Sequence, residues 1–213
     1  MNIGKDAFLK SYVGLLLVLF CYQYFVPQLA ISLAINSHHS SILDLLCVYG
    51  TFLGDGWFVC ASCIVLFFFK PRLALLILIS YALSAGFTQL LKHTLFTSMH
   101  RPLWHIEELG ITSHYLVPGA EHNYNNSFPS GHSTSAFAVF GMLALYVNKN
   151  WQRVLFFILA FFTAFTRIYL LQHFLIDTCV GSIIGSTTAS LIYFGLYQKG
   201  RLQFLFAKIK KEV

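Results

Sequence analysis

Three short stretches of this chain hold residue types that can together do chemistry on an anion. Pro129-Ser130-Gly131-His132 opens one apolar run. Arg167 closes another, with five residues between it and His173 and three more before Asp177. Lys92 ends a third run and is followed by Arg101-Pro102. Three basic side chains can clamp a phosphate, the arginines through a two-pronged fork that matches its oxygens. Ser130 and Gly131 add donors, because glycine lets backbone N–H groups approach closely and a helix N-terminus favours an anion. The spacing of His173 and Asp177 predicts one helix face, where a carboxylate on one ring nitrogen leaves the other free to attack. His132 is then a proton donor, since a phosphate ester with an alkoxide leaving group needs one.

These residues have to be positioned, and composition says by what. The 213 residues are 57% hydrophobic and only 10% charged, where a soluble domain carries about a quarter charged residues. The sequence therefore predicts an all-α, polytopic membrane bundle forming a single domain over residues 1–213. Apolar stretches long enough for a hydrocarbon core of about 30 Å suggest six spans, near 11–33, 48–69, 73–94, 133–148, 154–171 and 174–197. The start resembles a signal peptide, but the apolar run continues past Pro27 to about Ile35, so an uncleaved first span is expected. A polar stretch near 97–129 separates the third span from the fourth, and a loop of that length is usually functional or disordered.

Charge sets an orientation for this layout. Lys5, Lys10, Lys70, Arg72, Lys149, Arg153, Lys199, Arg201, Lys208, Lys210 and Lys211 all fall on one side of six spans. The positive-inside rule makes that side, with both termini, cytoplasmic. The formal charge of +6 is thereby a topology signal, and nucleic acid is not an expected partner. Lys92, Arg101 and Arg167 remain on the outer side with all nine histidines. A basic residue at membrane depth is costly and is a functional candidate by default.

The three stretches resemble the signature of the type 2 phosphatidic acid phosphatase family, which includes vanadium haloperoxidases and bacterial membrane-lipid phosphatases. That pattern reads Lys-x6-Arg-Pro, Pro-Ser-Gly-His, and Ser-Arg-x5-His-x3-Asp. The second element matches in full, and the third matches with Thr166 in place of serine. The first departs, with eight residues between Lys92 and Arg101. The resemblance covers about 92–177, in active-site segments near 92–102, 129–132 and 167–177. It implies a metal-independent, cofactor-free lipid phosphatase working through a phosphohistidine. His173 is the implied nucleophile, oriented by Asp177, and His132 is the acid and then the base. Lys92, Arg101, Ser130, Gly131 and Arg167 are the phosphate-binding residues.

The expected substrate is a phosphomonoester or pyrophosphate on a lipid headgroup at the outer, periplasmic face of an inner membrane. Lipid A, undecaprenyl diphosphate, phosphatidylglycerol phosphate and phosphatidate are all candidates. A lipid phosphotransferase using the same site is the enzymatic alternative. A small anion channel or transporter is the non-enzymatic one, although it has no need of His173 beside Asp177. The outer side carries no H-E-x-x-H or similar metal spacing, and His38, His39, His105, His114 and His122 read as solvated loop residues. Cys60 and Cys63 form a C-x-x-C with no second pair, which reads as helix packing. Asp55, inside the second span, is expected to pair with an outer basic residue or a backbone N–H. Trp104, Tyr115 and Tyr124 are candidates to shape a headgroup pocket.

Overall fold

The structure, a computed structural model, describes residues 3–198, and the described residues form helices and connecting turns without strands. In chain order they are α1 (Ile3–Phe25), α2 (Gln28–Asn36), α3 (Ser41–Gly50), α4 (Gly56–Phe69), α5 (Pro71–Thr94), α6 (Pro102–Glu108), α7 (Gly131–Tyr146), α8 (Asn150–Tyr169) and α9 (Leu175–Ile192). A 3-10 turn, Thr51–Gly54, links α3 to α4, and a π-helical turn, Tyr193–Gln198, extends α9.

α5, α8 and α9 with its extension are each long and apolar enough to cross a membrane, and two bent helix pairs raise the count to five. This departs from six continuous spans in three places. The first predicted span breaks at Pro27, where α1 and α2 meet at 107°. Proline has no N–H to continue a helix, and its ring drives the preceding residue, Val26, out of the helical region. The second predicted span also breaks, by 63°, at Asp55. There the chain is extended (ψ 146°) and the Asp55 carboxylate accepts a hydrogen bond from Trp57 N at 3.1 Å, capping α4. The third departure is α7, whose 16 residues reach only about 24 Å at 1.5 Å per residue.

Short as it is, α7 is the axle of the bundle. Ser133 through Met142 are buried without interruption, because α9, α8 and α5 pack around it. The approach of α9 is set by glycine. A Cβ on Gly185 would lie 2.3 Å from Thr134 O, and one on Gly181 would lie 2.6 Å from Ser130 O. Small residues at such crossings let helix backbones touch, which is how membrane helices gain packing energy without a hydrophobic drive. On α5, Ser80, Ser84, Thr88 and Lys92 repeat every four residues and are all buried. Thr88 Oγ1 donates to Thr134 Oγ1 at 3.1 Å, so this polar stripe faces α7 and carries Lys92 to its end.

The far ends of the helices hold part of the predicted cytoplasmic charge. Arg153 is buried there, with Nη2 on Val147 O at 2.9 Å and Nη1 on Asn150 Oδ1 at 2.9 Å. It ties the α7–α8 turn together, and does not simply sit in solvent as a topology charge. The basic residues from Lys199 onward lie outside the described residues.

Candidate active site

Alternating helix direction brings the C-terminal ends of α5 and α8 beside the N-terminal ends of α7 and α9. Lys92, His132, Arg167, His173 and Asp177 therefore gather at one end of the bundle. Lys92 is 6% exposed, Arg167 5%, His173 1% and Asp177 2%. Residues of these types are almost never so buried unless paired, and each burial has a visible partner.

Lys92 donates from Nζ to Asn126 O at 2.7 Å. Asn126 sits in the left-handed region (φ 58°), which asparagine tolerates, and this local turn presents its carbonyl to the lysine. The segments around residues 99–101 and 124–127 run side by side, with Arg101 N on Tyr124 O at 2.8 Å and Ser127 N on Met99 O at 2.9 Å. The two ends of the polar loop are thus tied to each other. Arg101, just ahead of α6, donates from Nε to Asn125 O and from Nη1 to Gln172 Oε1, each at 2.7 Å. The charges of both Lys92 and Arg101 act on His173. Burial lowers the Arg101 pKa, while the carboxylates of Asp177 and Glu121 pull it back up.

Ser130 caps α7, accepting from Ser133 N at 3.4 Å and from Ser133 Oγ at 3.0 Å. Its own N–H donates to Asp177 O at 3.0 Å, locking α7 to α9. Beside Gly131 the space is open, since an added Cβ would meet nothing within 4 Å. The first turn of α7 therefore offers backbone donors to a cleft. His132 is held from behind by the 3-10 turn, where a Cβ on Gly54 would lie 2.6 Å from His132 O.

At the end of α8, the Arg167 carbonyl accepts from Gln172 N at 2.9 Å and His173 N at 3.0 Å, which closes a tight turn. Leu171 within it is left-handed (φ 54°) and buried, a strained conformation for a branched side chain and costing about 1–2 kcal/mol. Arg167 Nη1 donates to Thr51 Oγ1 at 2.6 Å, while its buried Nε has no hydrogen-bond partner. Thr166, in the position of the pattern's serine, turns its hydroxyl back to Thr163 O at 2.7 Å.

His173 and Asp177 do meet, with Nδ1 3.4 Å from Oδ2, but not as two residues of one helix. α9 begins only at Leu175, so His173 precedes it in the turn. Asp177 reaches backwards as a capping carboxylate, taking Phe174 N at 2.9 Å and Ser127 Oγ at 2.5 Å on the same oxygen. Burial first, and then the charges of Arg101, Arg167 and Lys92, push His173 well below its ordinary pKa. At neutral pH its imidazole is uncharged, the form that carries a nucleophilic lone pair.

Several participants had no signal in the sequence. Gln172, inside the unspecified stretch between Arg167 and His173, accepts from Arg101 and from Asn123 Nδ2 and donates to Glu121 O. Ser127, Asn125, Asn126 and Thr51 serve the other charges. Asn36 pins the loop between α6 and α7, donating to Tyr115 O at 2.9 Å and Tyr169 O at 3.0 Å and accepting from Tyr115 N at 2.8 Å. Asp44 takes the hydroxyls of Tyr115 and Tyr169. Tyr115 thus anchors the loop, and it stacks on His39 at 3.8 Å. Trp104 stacks on His100 at 4.1 Å, and Tyr124 donates to Glu107 at 2.7 Å. Among the described residues, no three His, Cys, Asp or Glu side chains are grouped as a metal ion would require.

A cavity of about 110 Å³ opens beside this centre, lined by Thr51, Asp55, Glu121, His132, Arg167 and Gln172 among others. Buried cations and a carboxylate-paired histidine at one end of a helical membrane protein form a set suited to holding an anion. The PAP2 superfamily model matches residues 73–201, and the chain belongs to that superfamily. The crystal structure of Aquifex aeolicus LpxE is similar with a TM-score of 0.68 and 25% identity, over 79% of this chain and 95% of that one. That of a transmembrane PAP2 type phosphatidylglycerolphosphate phosphatase from Bacillus subtilis has a TM-score of 0.66 and 21% identity, over 89% and 95%. A search of curated proteins returns no significant match. The chain is a helical membrane member of the PAP2 superfamily.

Proposed function

We propose that the protein hydrolyses a phosphomonoester or pyrophosphate on a lipid headgroup by in-line displacement through a phosphohistidine, without a metal. The observation that carries this reading is the convergence of Lys92, Arg101 and Arg167 on an uncharged, carboxylate-paired His173. The three cations and the first turn of α7, with Ser130 and Gly131, hold the phosphoryl oxygens and stabilise the charge spread over them in the transition state. His173 Nε2 attacks phosphorus as the bond to the leaving oxygen breaks. His132 delivers a proton to that oxygen. Asp177 holds Nδ1–H and offsets the positive charge that develops on the ring. His132, now neutral, takes a proton from water. The resulting hydroxide attacks phosphorus, the N–P bond breaks, and inorganic phosphate leaves with His173 restored.

The distribution of basic residues supports an active site on the outer, periplasmic face of an inner membrane, because Lys70, Arg72, Lys149 and Arg153 stand at the opposite helix ends. Phosphate release by the purified protein from a panel of lipid phosphates, in excess chelator, tests the reading. His173→Ala is expected to abolish release. Normal turnover by that variant, or an activity lost to chelator and restored by one metal, overturns the mechanism.

A further inference from the structure

The cavity beside the centre has an uneven distribution of charge. His132 and Arg167 line it, and its other polar side chains are Thr51, Gln172 and two carboxylates, Asp55 and Glu121. His173 does not line it. In an in-line displacement the attacking nitrogen and the leaving oxygen stand on opposite sides of phosphorus. A cavity bounded by the proton donor and not by the nucleophile is therefore the place of the leaving group. Resting on the mechanism proposed above, we infer that Asp55 and Glu121 select that leaving group. They favour a phosphomonoester on a headgroup bearing hydroxyl donors, a sugar or a glycerol, and oppose a diphosphate, whose leaving group is itself a phosphate.

The hydrogen bonds support this assignment. Asp55 uses Oδ1 to cap α4, and Glu121 uses Oε2 to accept from Asn123. Each carboxylate keeps acceptor capacity for hydroxyl groups. The cations are anchored by part of their donor capacity: Lys92 on Asn126 O, Arg101 on Asn125 O and Gln172, and Arg167 Nη1 on Thr51. Arg167 Nε, buried and without a partner, adds a donor free for a phosphoryl oxygen. A second phosphate on the leaving side meets two carboxylates, and Arg167 is the one lysine or arginine among the described residues of the cavity wall. A neutral, hydroxyl-bearing headgroup meets the same carboxylates as hydrogen-bond acceptors.

The test measures kcat/KM for phosphate release by the full-length protein in detergent from three substrates: a glycolipid phosphomonoester, a glycerolipid phosphomonoester and a polyprenyl diphosphate. Glu121→Gln changes an exposed side chain, and Asp55→Asn keeps a residue able to cap a helix. The unaltered protein is expected to favour one or both monoesters over the diphosphate, and the faster monoester names the headgroup. Each substitution is expected to narrow that preference by about threefold to tenfold at low salt, and by less at high salt. A diphosphate cleaved as well as either monoester, or a preference unmoved in the double variant, overturns the selectivity while leaving the phosphatase mechanism in place. Failure of the unaltered protein to release phosphate from any of the three removes both.

Discussion

The helices divide at Pro71 into two halves, α1 to α4 and α5 to α9, which solve different problems. α5, α7 and α8 carry Lys92, His132 and Arg167, with His173 in the turn ahead of α9, and the others pack around α7, buried along most of its length. α1 to α4 consist of two bent pairs, with many large apolar side chains facing outward, among them Tyr24, Phe25, Trp57, Phe68 and Phe69. Yet the breaks in this half are where it touches the site. The 3-10 turn places Thr51 on Arg167 and Gly54 against His132, and the break at Asp55 puts a carboxylate in the cavity wall. Continuous helices build the centre, and interrupted ones fit a boundary to it. An unwound turn can present backbone and small side chains that a regular helix keeps to itself.

This division can be tested by substitutions in each half. His173→Ala, in the rigid half, is expected to lower turnover by about a thousandfold or more while the protein still unfolds cooperatively near the normal temperature. Arg167→Ala should cost about a hundredfold or more, because it removes a cation aimed at the phosphoryl oxygens. Gly185→Val tests the same half through packing. Its Cβ meets backbone at 2.3 Å, so it should destabilise the fold by about 1–3 kcal/mol, read as a lower thermal midpoint. Equal stability would deny that α7 and α9 depend on this approach. In the boundary half, Thr51→Val removes the hydroxyl that holds Arg167 and should cost about tenfold in kcat/KM with little change in midpoint. A midpoint that falls as far as it does for Gly185→Val would make Thr51 part of the core.

The smallest effect expected is one of pH. His173 has a folded pKa depressed well below the ordinary histidine value of 6.5, so below that value the unfolded chain binds a proton that the folded one refuses. Stability is therefore full above about 6.5 and declines as pH falls towards the folded pKa. His173→Asn should flatten that decline in a thermal-midpoint titration. An identical slope in the variant would place the acid sensitivity elsewhere. Activity should fall on the acid side as His173 takes up a proton and loses its nucleophilic lone pair.

Much of the molecule was legible before its coordinates. Hydropathy located the helices of the second half to within a few residues, since a long apolar run in lipid has little choice but to be a helix. The candidate site residues stood out because histidine, lysine and arginine are rare beside such runs. The bends at Pro27 and Asp55 were harder to read, because both lie inside apolar stretches and hydropathy counts side chains without following the backbone. The His173–Asp177 contact was expected for the wrong geometric reason: i, i+4 spacing suits a helix face as well as a residue just ahead of a helix and its capping carboxylate.

By itself, the sequence determined the class of environment and the chemistry on offer, because hydrophobic length and residue type are properties of a linear string. Tertiary structure decided what each charge is paired with. Gln172 on Arg101, Asn126 O on Lys92, Thr51 on Arg167 and Ser127 on Asp177 join residues 34 to 116 positions apart. Two of these four partners belong to the loop between α6 and α7, and one to the turn between α3 and α4. Such pairings depend on which helix ends alternate direction and which glycines let backbones touch. Those are properties of packing in three dimensions, and no spacing along the chain encodes them.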